Sequence, residues 1–137
     1  MLKEYLDNVQ LSHILEREGG WDSVQDWMDV LSGGEKQRIS IARALMKNAS
    51  ILILDDSVSA VDTKTEKNIL EALKNLRQGK TTILIAHRIT TIEKMDKIIF
   101  IDNGHVVSIG SHKELVASCE EYRHMVELQR LDEEEGF

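Results

Sequence analysis

Two short apolar runs, "ILILD" (51–55) and "TTILIA" (81–86), flank a stretch of helical periodicity, and this arrangement restricts the fold more than any other feature. Each run is continuous rather than alternating, the pattern of a strand buried on both faces. Between them, Ile69, Leu70, Leu73 and Leu76 fall on one helical stripe. Thr63-Lys64-Thr65-Glu66 has the form of a capping box, and Gly79 suits the helix end. Strand, helix and strand in this order make a parallel crossover. The fold class is therefore α/β, a parallel sheet with flanking helices.

The remaining segments fit the same architecture. Leu2, Tyr5, Leu6 and Val9, then Leu11, Ile14 and Leu15, are spaced as two short helices, and Gly19-Gly20 breaks the pattern. Ser32-Gly33-Gly34-Glu35 is a second capping box, after which Ile39, Ala42, Leu45 and Met46 line one helical face. "KIIFIDNGHVVSIG" (97–110) reads as a C-terminal β-hairpin turning at Asn103-Gly104. Ser111-x-x-Glu114 opens another helix, and a last one, over about 120–131, leads into the acidic "DEEEG" tail.

Composition narrows the function classes. A chain of 137 residues fits one domain and can bury about two-thirds of its unfolded surface. No apolar run approaches the roughly 18–20 residues of a membrane span, and no basic-then-apolar leader opens the chain. A net charge of -7 argues against a nucleic-acid surface. The single cysteine, Cys119, cannot form an internal disulfide, so a reducing, cytoplasmic compartment is expected.

Three loops carry the chemistry. At "LSGGE" (31–35) two glycines allow close backbone approach at a helix start, whose free N–H groups and dipole suit a terminal phosphate. At "ILILDD" (51–56) a strand delivers Asp55 and Asp56 to its C-terminal edge, where α/β sheets bind ligands. One carboxylate there can hold Mg²⁺ through water while its neighbour acts on attacking water. After the second strand, His87 is placed to meet a γ-phosphate. Singly, each has a plainer reading: a Gly-Gly helix start, an acidic cap, a structural histidine. A nucleoside triphosphatase would also carry G-x-x-x-x-G-K-[ST], and no stretch of the chain matches it.

In order and spacing, the loops resemble the ATP-binding domain of ABC transporters. "LSGGEKQR" looks like the signature motif, "ILILDD" the Walker B strand, "SAVD" (59–62) the D-loop and "IAHR" (85–88) the switch-histidine loop. "DNGHVVSIGSHKEL" (102–115) is similar to the segment that follows in exporters. The resemblance implies a partial P-loop NTPase (RecA-like) fold, with the Walker A loop, the Gln loop and the adenine-stacking aromatic upstream of Met1. On that reading the chain is the C-terminal half of such a domain: 1–30 a remnant of the helical subdomain, 31–110 the signature helix and RecA-like core portion, 111–137 C-terminal helices and acidic tail. Residues 16–38 are similar to the peroxisomal fatty-acyl transporter branch and 39–137 to a bacterial heterodimeric multidrug exporter subunit, a combination that a chimera would explain.

Roles follow from the resemblance alone. Asp55 would anchor Mg²⁺ through water, His87 would sense the γ-phosphate, and Asp62 would couple the two sites of a dimer. Ser32, Gly33, Gly34 and Glu35 would bind, in trans, ATP held by a partner domain. Where the family carries a catalytic Glu, this chain has Asp56, one methylene shorter, which marks the degenerate site of heterodimeric exporters and implies a weak base. Lys36, Gln37 and Arg38 read as solvated first-turn residues, and Trp21 and Trp27 as packed within the helical remnant. ATP and Mg²⁺ would be used only with the missing Walker A half, a second nucleotide-binding domain and transmembrane domains, at the cytoplasmic face of a membrane. The unpaired strand flank implies self-association. The competing readings are the C-terminal head lobe of a chromosome-maintenance or DNA-repair ATPase, whose preceding coiled coil would need heptads that 1–30 lack, and a truncated non-catalytic module.

Overall fold

The structure is a computed structural model that describes residues 1–17 and 19–136. Its helices and strands follow as α1 (Leu2–Asn8), α2 (His13–Arg17), α3 (Trp27–Val30), α4 (Gly33–Met46), β1 (Ile51–Asp55), α5 (Thr63–Leu76), β2 (Thr81–Ile85), α6 (Ile89–Ile92), β3 (Ile98–Asp102), β4 (His105–Gly110), α7 (His112–Ser118) and α8 (Glu120–Glu135). They divide into two compact units, Met1–Ala86 and His87–Phe137. The expected α/β class, parallel pair and C-terminal hairpin are all present.

In the first unit β1 and β2 pair in parallel, with Ile51 beside Thr81 and Asp55 beside Ile85. One face is covered. Leu52 and Leu54 pack with Ile41 and Leu45 of α4, Ile69 and Leu73 of α5, Ile14 of α2, and Val9 and Leu11 between α1 and α2. The pairing is anchored at its start by Arg77, buried just beyond α5. Its guanidinium donates to the carbonyls of Ala49 (3.1 Å), Ser50 (3.4 Å) and Thr81 (2.9 Å) and to Thr82 Oγ1 (2.9 Å). A planar fork of five donors is suited to gathering several backbone acceptors at once.

Burial on both strand faces is not observed. Ile51, Ile53, Ile83 and Ile85 are 45–62% exposed, all on the side of the sheet away from the helices. The continuous apolar run reports a face prepared for burial, while α4 and α5 cover only the other one. Trp21 and Trp27 are likewise exposed rather than packed, at 56% and 36%. The cap of α5 also differs: Asp62, not Thr63, accepts from the Thr65 N–H, Asp being at least as strong an N-cap as Thr. The last helix runs to Glu135, since Glu is a good helix former and no breaker precedes Gly136.

In the second unit β3 and β4 form the expected hairpin, with Asn103 and Gly104 both at positive φ (47° and 75°), as a tight two-residue turn demands. Ile98, Leu115, Cys119, Tyr122 and Val126 are its buried core. The Phe100 ring meets Tyr122 edge-on at 5.5 Å, and the Tyr122 hydroxyl shares a 2.9 Å hydrogen bond with His112 Nδ1. Burial pushes the Tyr122 phenol pKa up.

Two-stranded sheets with bare apolar faces and unpaired edges invite association. We expect the chain to self-associate at high concentration, and Ile53→Thr with Ile83→Lys to reduce this, by light scattering. A monodisperse monomer before substitution would refute the expectation.

Candidate functional site

The signature turn is built by its own side chains. Ser32, extended at the N-cap of α4, accepts from the Glu35 N–H (3.2 Å), and Glu35 Oε2 accepts from the Ser32 N–H (2.9 Å), the capping box expected from the sequence. Glu35, itself buried, is also the anchor of a part-buried ion pair. Arg17 Nη1 and Nη2 donate to Oε1 and Oε2 at 2.7 and 3.2 Å, and His13 Nε2 lies 3.9 Å away. The Arg17 hydrogen bond, helped by the Ser32 N–H, outweighs burial and lowers the Glu35 pKa to about 2. Glu35 is thus held inward, while Ser32 and Gly33 are exposed. Among the described residues no hydrogen bond is seen for the Gly33 and Gly34 N–H groups, so α4 keeps two donors at its positive end.

This turn lies against the loop that follows β1. A Cβ on Gly34 would come within 2.8 Å of the Ala60 carbonyl oxygen, and one on Gly33 would meet the Ala60 Cβ at 3.8 Å. Gly34 is required by a close backbone approach inside the chain, before any ligand is considered. The loop itself carries the acidic residues. Asp55 ends β1 with its side chain exposed. Asp56 is exposed with φ +50°, a left-handed conformation that Asp tolerates better than most residues, and its N–H donates to the Ile85 carbonyl at 3.2 Å. Asp62 is the N-cap of α5, and the Thr65 hydrogen bond lowers its carboxyl pKa.

The residues after the signature are engaged rather than solvated, contrary to the sequence expectation. Gln37 Nε2 donates to the Asp56 carbonyl (3.2 Å) and Ser59 Oγ (2.9 Å), and its Oε1 accepts from the Ala60 N–H (2.9 Å). Arg38 donates to the carbonyls of Gln10 (2.7 Å) and Gly34 (3.3 Å). Apart from the Gly34 carbonyl, one turn back on α4, these partners are not legible from local spacing, because they lie on other segments. Lys36 is half-buried.

Ser32 to Glu35, Asp55, Asp56 and Asp62 therefore belong to one unit. His87 opens the second unit, side chain exposed, its carbonyl accepting from Gln129 Nε2 at 2.7 Å while Gln129 Oε1 accepts from the Ile89 N–H at 2.9 Å. Among the described residues no three His, Cys, Asp or Glu side chains converge as a metal cage. Two exposed carboxylates at a strand end fit Mg²⁺ of the kind held by one or two carboxylates together with substrate phosphates.

The Glu35 clasp has a pH signature. A carboxyl lowered to about 2 from an ordinary 4.5 contributes stability that is complete above about pH 4.5 and is lost as pH falls toward 2. With Arg17 half-exposed, solvent screening leaves about 1–2 kcal/mol of this. Arg17→Ala should lose that amount at pH 6 and show a shallower decline between pH 4.5 and 2, by urea unfolding. An equally steep decline in the variant would mean that the clasp is not the source.

The ABC transporter family model matches residues 2–59. The ATP-dependent lipid A-core flippase of Alcanivorax borkumensis is 45% identical over 124 residues, 90% of this chain and 20% of that protein. A Staphylococcus aureus protein described as a multidrug export ATP-binding/permease protein is 50% identical over 101 residues, 74% of this chain and 18% of its own length. The structure is similar to that of a bacterial Atm1-family ABC exporter with ATP bound, with a TM-score of 0.86 and 37% identity over 94% of this chain and 23% of that one. The chain spans about a fifth of the length of the curated relatives it matches. It carries part of the ATP-binding domain of an ABC transporter, in the P-loop NTPase fold.

Proposed function

We propose that this chain is the signature-bearing portion of a nucleotide-binding domain in an ABC exporter, coupling ATP binding and hydrolysis to transmembrane export. One observation carries the reading. The Ser32–Gly34 turn, exposed at Ser32 and Gly33 and with Glu35 drawn inward by Arg17, presents backbone donors at the positive end of α4 beside the loop that carries Asp56. Such a turn suits the γ-phosphate of ATP held by a second nucleotide-binding domain, acting in trans. Ser32 and Gly34 meet the phosphate, Gly33 keeps the approach open, and Glu35 fixes the turn. On the chain's own side Asp55 holds Mg²⁺ through water, which neutralises phosphate charge; Asp56 orients attacking water as a weak base, His87 senses the γ-phosphate, and Asp62 couples the sites from the N-cap of α5. Residues 1–30 are then the helical-subdomain portion, 31–110 the core portion and 111–137 the C-terminal helices. Exporter names among the relatives favour this reading over a DNA-repair head lobe. The partners are a Walker A-bearing segment, a second nucleotide-binding domain and transmembrane domains, placing the chain at the cytoplasmic face of a membrane.

The chain by itself should bind Mg-ATP more weakly than about millimolar and should not turn it over, because one helix start and two carboxylates do not wrap a triphosphate. Calorimetry tests this directly, and micromolar affinity would defeat it.

In a heterodimer rebuilt with Walker A-bearing segments, Asp56→Glu should raise hydrolysis at its own site roughly tenfold or more. The longer side chain recovers part of a base effect worth about 10²–10⁴, less the cost of Glu in a left-handed position. Gly34→Ala should instead silence the partner's site, by forcing the turn off the Ala60 carbonyl. Single-turnover rates read at each site separate the two effects; a silent Asp56→Glu site would make Asp56 an ordinary acidic turn residue.

A further inference from the structure

We infer that Gln37 is a positioning residue that links the signature turn to the acidic loop, setting the backbone of Asp56 and Ala60 from the first turns of α4. The functional weight of this link rests on the reading of Asp56 and the signature turn as parts of one ATPase; the link itself does not.

The geometry is specific. Gly33, Gly34 and Gln37 are spaced i, i+1 and i+4 on α4, so Gln37 stands one turn above Gly33 on the same face. All three meet the 56–60 loop: the glycines by close approach to Ala60, Gln37 by hydrogen bonds. One amide spends its donor group on the Asp56 carbonyl and Ser59 Oγ, and its acceptor on the Ala60 N–H. Ser59 Oγ in turn donates to the same Asp56 carbonyl at 3.1 Å. That carbonyl is therefore held from two sides, while the Asp56 N–H is held by Ile85. Fixing both peptide groups around a residue at φ +50° sets the direction of its Cα–Cβ bond.

The side chain is not a core filler, since Gln37 is only half-buried. Nor do its neighbours duplicate the role, because Arg38 reaches Gln10 and Gly34 instead. A displacement of the Ser32–Gly34 turn is thus carried by Gln37 to the peptides flanking Asp56 and to the loop that ends at Asp62. Two sites that would act on different nucleotides are joined by a single amide.

The test uses the 137-residue chain without nucleotide, so it stands or falls separately from the ATPase reading. Three amide signals report on the link. The Ala60 N–H reads the acceptor half of the amide, the Ser57 nitrogen reads the donor half through the Asp56 carbonyl, and the buried helical Leu73 N–H is the control. Gln37→Ala should speed Ala60 hydrogen exchange by about tenfold relative to Leu73 and move the Ser57 nitrogen shift. Gln37→Glu should split the two, because a carboxylate accepts but cannot donate. Ala60 should stay within about threefold of the native rate while Ser57 moves as in Gln37→Ala. Ser32→Ala should perturb Ser57 and Ala60 in the native background, and by less than half as much in Gln37→Ala. The proposal is overturned if Gln37→Ala leaves both reporters unchanged, if Ala60 and Leu73 lose protection equally in both variants, or if the Ser32→Ala perturbation is the same without Gln37.

Discussion

The parallel pairing of β1 and β2 is the constraint on which the candidate site depends, and it is not self-sufficient. A parallel pair needs a crossover helix and cover on its faces, and two strands alone bury too little to hold. Here α5 supplies the crossover, α4 adds cover, and Arg77 collects the carbonyls at the start of both strands into one buried cluster of hydrogen bonds. Losing the guanidinium would remove four hydrogen bonds that tie the start of β1 to the start of β2. With the strand starts fixed, their C-terminal ends are fixed too, and Asp55 and Asp56 emerge where the pairing runs out.

One-sided cover has a second consequence. The isoleucines at 51, 53, 83 and 85 form a bare apolar face opposite α4 and α5, and the second unit's hairpin shows exposed Ile99, Ile101 and Ile109. Apolar surface on this scale is uncommon on a finished monomer. It accords with a chain spanning a fifth of its relatives' length, and it explains why the strands read as doubly buried.

Local signals were legible and long-range ones were not. The capping boxes at Ser32/Glu35 and Ser111/Glu114, the Asn103-Gly104 turn and both parallel strands depend on residues within a few positions, and each appears where spacing puts it. Ser32, Gly33, Gly34, Glu35, Asp55, Asp56, Asp62 and His87 are candidates only because four motifs stand in family order. The contacts of Arg17 with Glu35, Gln37 with the 56–60 loop and Arg38 with Gln10 were not legible, since they span 18 to 28 residues. A buried Arg77 could be suspected from nothing nearby, because its acceptors are backbone carbonyls that any sequence provides. Asp62 shows the opposite failure: its cap was misplaced by one residue because Thr63 completes a plausible motif of its own.

Glu35 and Gly34 show how family motif and fold requirement coincide in one stretch of chain. Glu35 closes the capping box, pairs with Arg17 and is buried; each of these uses is internal, and together they point Ser32 and Gly33 outward. Gly34 is demanded by the Ala60 carbonyl at 2.8 Å from where a Cβ would stand. Both residues would therefore be needed to hold this turn even if no phosphate ever reached it. What the internal demands leave over is a pair of backbone N–H groups at the positive end of a 14-residue helix, with no acceptor among the described residues. On the proposed reading an anion from outside the chain would be their acceptor, and the tightness of the turn would keep the donors available without reorganisation.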